Sequence, residues 1–187
     1  QITTAVAQGR NFVLIMPELP WSKEFGGQRA SFGFFNKEGT DNGAGDFNLY
    51  HTEMLDVINK LNGKSVSAPS LISIYAHGTG VKALENITKF NQLSSIKPKR
   101  IVISAAPAGA TKNIWDKYVK GEKDVWMTCI TTKGAVRKST VSLFKTFSDE
   151  EKKRELYHTK SSKGASWCGA NCIISISDEL IERHKAK

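Results

Sequence analysis

Continuous apolar runs alternate with segments of helical period along this chain, and that alternation constrains its fold more than any other feature. Phe12–Met16 reads FVLIM and is stopped by Pro17 and Pro20, the pattern of a strand buried on both faces. Phe47, Tyr50, Met54, Val57 and Leu61 then recur at helical spacing, and Asn62-Gly63 closes that helix. Leu71–Ala76 is a second apolar strand. A helix follows almost at once, with Val81, Leu84, Ile87 and Phe90 on one face. Ile101–Ala105 is a third strand, a short helix covers Ile114–Val119, and Val125–Thr131 is a fourth strand. A helix over Val141–Leu156, a strand at Cys172–Ile176 and a last helix at Asp178–Lys187 complete the order.

Strands separated by helices of this length are joined by parallel, right-handed crossovers. The pattern therefore predicts an α/β fold of three layers: a doubly wound, mostly parallel sheet of five or six strands with helices on both faces. In the expected sheet Leu71–Ala76 is central, between Phe12–Met16 and Ile101–Ala105. No linker, repeat or low-complexity tract divides residues 1–187, so one domain is expected. The glycine-rich stretch Trp21–Asp46 is too long for an ordinary connection and is expected to border a cleft.

Composition removes several function classes. No apolar run approaches the roughly 18 residues of a membrane span. The net charge of +9 invites a nucleic-acid reading, but the lysines are dispersed over helix faces and the tail with no aromatic-interleaved basic stripe. Nucleic acid is disfavoured, and an anionic substrate or surface is the better use of the charge. Cys168 and Cys172 with a distant His184 fall short of a zinc set, Cys129 reads as a buried thiol, and the WCGANC run has one residue more than a thioredoxin-type motif. No metal and no organic cofactor is expected. Asp116, Asp124, His51 and His184 read as surface or packing residues.

Ligands of open α/β sheets bind at the carboxyl ends of the strands, which directs attention to Ala76-His77-Gly78-Thr79-Gly80. A small residue, any residue, a nucleophile, any residue and a small residue between strand and helix form a nucleophile elbow. The small flanks let the turn tighten until the central side chain stands above the sheet, with a helix N-terminus favouring developing negative charge.

With Ala76 and Gly80 as small flanks and His77 before the central position, this stretch resembles the elbow of the α/β-hydrolase superfamily, and the strand-and-helix order extends the resemblance over most of the chain. It implies acyl transfer on an ester, amide or peptide-like bond of a small-molecule or polymeric substrate. Gly78 stands at the nucleophile position, the catalytic acid is due at Ala105 or Ala135, and the histidine is due near Ala165, with His158 as a nearby substitute. The resemblance also implies an oxyanion site from the N–H of Thr79 and a second N–H from the Met16–Trp21 turn, that of Glu18, Leu19 or Trp21. No hydroxyl, thiol, carboxylate or imidazole occupies Gly78, Ala105, Ala135 or Ala165.

The same residues resemble a second family, the caspase–separase group of cysteine peptidases. There His-Gly follows one apolar strand and Ala-Cys the next, which puts His77-Gly78 at the base and Ala106 at the cysteine position. A third expectation comes from another class: a non-catalytic binding module that keeps fold and cleft without the chemistry.

Overall fold

The computed structural model describes residues 46–63, 71–78, 80–94, 96–106, 109–131, 142–143, 145–150 and 157–160, together with Val13 and Ile15. Helix α1 runs Phe47–Asn62, strand β1 Ser73–His77 and helix α2 Gly80–Lys89. Strand β2 spans Arg100–Ser104, helix α3 Ala110–Ile114, strand β3 Trp126–Thr131 and strand β4 Tyr157–Lys160. The strands form one sheet in the order β1-β2-β3-β4, every neighbouring pair parallel. The fold is α/β.

Strand order explains where the helices lie. Each strand is added on the same side of the one before, so crossovers of one hand carry their helices to one face. Accordingly Ile74 and Ala76 of β1, Ile101 and Ile103 of β2, and Met127 and Cys129 of β3 share one core. It is completed by Val81, Leu84 and Ile87 of α2 and by Ala110 and Ile114 of α3. The alternate residues Tyr75, Val102 and Ile130 form a second cluster on the opposite face. β2 is buried along its whole length, as its apolar run predicts.

Local signals account for the helix ends. Asp46 caps α1 by accepting from the N–H groups of Asn48 and Leu49, and Gly63 ends it at φ 62°. Asn91, at φ 56°, follows α2 in the left-handed conformation that asparagine tolerates better than most residues. α1 is tied to the body by the Phe47 N–H donating to Gln92 Oε1 at 3.0 Å.

Several expectations need correction. Among the described residues the apolar stripe of α1 meets the core through Phe47 and Tyr50, while Val57 and Leu61 are exposed, Leu61 at 84%. Helical spacing shows that a face exists but not how far along it the core reaches. Of Phe12–Met16, only Val13 and Ile15 are described; neither lies in a strand, and they are 58% and 37% exposed. An apolar run reports hydrophobicity alone, and at these two positions no strand pairing follows. Among the described strands β1 therefore has one neighbour, β2.

The short helix begins earlier than expected, at Ala110, and passes at Trp115–Val119 into a π-helical turn. Trp115 packs there on Phe147, ring centroids 4.3 Å apart. The helix expected over Val141–Leu156 is interrupted. Leu143 and Lys145 are helical, but residues 146–148 are not. The Thr146 hydroxyl donates to the Leu143 carbonyl at 2.6 Å, as does its own N–H at 2.9 Å, a local closure that competes with continuing the helix. Tyr157–Lys160, expected to lie at a helix end, is a strand, so His158 sits in β4 opposite Cys129. The aromatic and β-branched residues Tyr157 and Thr159 suit a strand better than a charged helix terminus. Cys172–Ile176, Asp178–Lys187 and the Trp21–Asp46 stretch up to residue 45 lie outside the described residues.

Candidate active site

The carboxyl ends of β1 and β2 stop level with each other. His77 is the partner of Ser104 in the parallel register, and both end their strands. The next residue of each segment turns left-handed: Gly78 at φ 53° and Ala105 at φ 49°. The Gly78 N–H donates to the Ser104 carbonyl at 2.9 Å, and the Ala105 N–H to the Ile130 carbonyl at 3.0 Å. Both turns are thus pinned by the sheet before the chain leaves it. The Gly78 carbonyl accepts from the Val81 N–H at 3.2 Å, closing the turn into α2, which begins only two residues after Gly78.

This is the backbone of a tight strand–turn–helix. Glycine carries a positive φ at little steric cost, whereas Ala105 pays for the same conformation. A Cβ placed on Gly78 would meet nothing within 4 Å among the described residues. A Cβ at this position would stand clear of the described residues at the strand end.

Beside the turn, His77 Nδ1 lies 2.9 Å from Ser104 Oγ. Both residues project from the sheet face of Tyr75 and Val102, away from α2 and α3. His77 is half-buried, whereas Ser104 is completely buried. In the sequence Ser104 is one more residue of the Ile101–Ala105 strand. Its role becomes visible only with the register, because nothing in two apolar runs says which of their residues end side by side.

The N-terminal turn of α2 has no acidic side chain, leaving its positive dipole end uncancelled in that turn. Further along, Lys82 and Glu85 pair at 2.6 Å, and Asn113 donates to the same carboxylate, which joins α2 to α3.

The structure thus gathers His77, Gly78, Ser104 and Ala105 at one sheet edge. Ala106 is 4% exposed and packs into the helix-covered core with Ala76. His158 lies three strands from His77, about 14 Å away at the usual inter-strand spacing. Thr79, Leu19, Ala135 and Ala165 lie outside the described residues. Cys129 is fully buried, and burial pushes its thiol pKa well up, so it is an inert core group. Among the described residues no three His, Cys, Asp or Glu side chains converge as a cation site would need. No described helix is long and apolar enough to cross a membrane. Compared with family models, with curated proteins and with solved structures, the chain finds no match.

Proposed function

We propose that the chain is a single α/β-hydrolase-type domain, with a sheet of five or six strands covered on both faces, whose carboxyl edge receives an ester, amide or peptide-like compound. The observation that carries this reading is Gly78 held left-handed between β1 and α2, with none of the described residues within 4 Å of where its Cβ would be. A tight strand-to-helix turn of this kind is where the nucleophile of an α/β-hydrolase sits. Thr79 N–H and a donor from Leu19 would complete an oxyanion site there.

As the chain stands, glycine supplies no attacking atom, and the hydroxyl of Ser104 is sealed in the sheet. The domain therefore binds an acyl compound at this edge and turns it over poorly or not at all. p-Nitrophenyl butyrate tests both halves. Amide resonances of Gly78 and Gly80 should shift on titration, with no hydrolysis above the buffer rate. Hydrolysis with an acyl burst would overturn the binding reading, and silent Gly78 and Gly80 amides would overturn the site.

One observation favours the cysteine-peptidase reading: His77-Gly78 and Ala105-Ala106 follow adjacent, in-register parallel strands. The burial of Ala106 in the helix-covered core weighs against it, because a thiol there would face away from His77.

A further inference from the structure

Ser104 and His77 constrain each other's hydrogens. A hydroxyl has one donor and two acceptor sites, and a neutral imidazole has one nitrogen of each kind. Ser104 is completely buried, and among the described residues the only partner of its Oγ is His77 Nδ1. A buried donor left unused costs more than a buried lone pair left unused, which is why orphan donors are the rarer of the two. The Ser104 O–H therefore donates to Nδ1, Nδ1 carries no hydrogen, and the ring hydrogen sits on Nε2. That nitrogen points away from Ser104, on a half-buried ring at the end of β1 beside the Gly78 turn.

We propose that Ser104 is a positioning residue that fixes His77 as the Nε2–H tautomer, so that the carboxyl edge offers a neutral imidazole donor to a carbonyl or carboxylate oxygen of its ligand. The inference rests on the acyl-compound reading of this edge and names the ligand atom recognised there. His77 is then a donor and not a base at this edge, since Nε2 already carries the ring hydrogen and the basic lone pair, on Nδ1, is taken up by the Ser104 hydroxyl. A donor needs no nucleophile beside it, which suits a turn whose central residue is Gly78.

The test is long-range proton–nitrogen correlation NMR on the full chain labelled at histidine nitrogens, at about pH 8, where an ordinary imidazole is neutral. His77→Gln identifies the His77 signals. The expected spectrum has Nδ1 of the unprotonated type and Nε2 of the N–H type, in one tautomer. Ser104→Ala should produce a mixture of tautomers, and Ser104→Thr, which keeps the hydroxyl, should restore the single form. An Nδ1–H tautomer in the parent chain, or an unchanged tautomer in a folded Ser104→Ala chain, overturns the proposal. Sodium acetate is the ligand probe. It should move the Nε2–H resonance of the parent chain and do so severalfold less effectively in Ser104→Ala; an unmoved resonance overturns the assignment of the ligand oxygen. Because the tautomer is read without turnover, a failed ester titration at Gly78 and Gly80 would remove the hydrolase-type reading separately.

Discussion

Ala105 and Gly78 adopt nearly the same left-handed backbone at neighbouring strand ends, but only one of them is built for it. An L-residue there costs roughly 1–2 kcal/mol, offset partly by the greater chain entropy glycine loses on folding. Ala105→Gly is therefore expected to stabilise the fold by about 0.5–1 kcal/mol, and Gly78→Ala to destabilise it by about the same amount, both read from urea midpoints at constant slope. No steric clash enters the second value, since a Cβ at Gly78 meets open space among the described residues. Tyr118 supplies a pH dependence of known sign. Burial, and then the charge of Glu122, push its phenol from 10 up to about 12, while its O–H donates to the Pro98 carbonyl at 3.2 Å. A raised folded pKa means that the contribution is complete below pH 10 and is lost as pH rises from 10 towards 12. Tyr118→Phe should flatten that part of the stability profile while lowering stability at neutral pH by about 1 kcal/mol for the lost hydrogen bond. An unchanged alkaline slope would show that the tyrosine is not what the fold loses there.

At the scale of elements, the signals that were legible in the sequence are local ones. α1 begins at its Asp46 cap and ends at Gly63, and α2 buries Val81, Leu84 and Ile87, as spacing and end residues indicate. The misreadings arise where a partner distant in sequence decides. The π-helical turn at Trp115–Val119 lies where Trp115 packs on Phe147, a contact no local pattern encodes. The strand at Tyr157–Lys160 needs β3 as a template, and the level endings of His77 and Ser104 need the register of β1 with β2. The site was half legible for the same reason: the Gly78 turn is a local motif, whereas the His77–Ser104 pair joins residues 27 positions apart. α1 illustrates the energetic consequence of local order with little burial. None of its residues is fully buried, so its end interactions carry unusual weight. Asp46→Ala should cost about 1 kcal/mol of stability and increase amide exchange first in the opening turn of α1. Equal exchange across the whole helix would mean that α1 opens as one unit and that the cap does not control its fraying.

For the molecule as a whole, the winding of the sheet decides which groups can cooperate at the carboxyl edge. β1 and β2 are neighbours and bring Gly78 and Ala105 together, while β4 places the His158 backbone three strands from His77, about 14 Å away. Among the described residues, a nucleophile placed at Gly78 would find a late-chain histidine only three strands away, at His158, and no carboxylate at Ala105. The contribution of a nucleophile depends on its base and orienting acid acting as a unit, so adding one member gains almost nothing. Gly78→Ser alone is therefore expected to leave hydrolysis of p-nitrophenyl butyrate at the parent level and to destabilise the fold by about 0.5–1 kcal/mol through its positive φ. Combining it with Ala165→His and Ala105→Asp should raise hydrolysis above background, and the aspartate suits its place because Asp tolerates the left-handed backbone better than Ala does. Ala135→Asp is the alternative site for the acid. Strong turnover by the single serine variant would show that His77, the one imidazole beside the turn among the described residues, can act as a base after all, against its assignment as an Nε2–H donor. Turnover by Ala106→Cys that disappears on adding His77→Gln would transfer the site to the cysteine-peptidase arrangement and show that a thiol at 106 reaches the histidine side of the sheet. Because Ala106 packs with Ala76 under the helices, the outcome expected for that pair is no turnover and a thiol slow to alkylate.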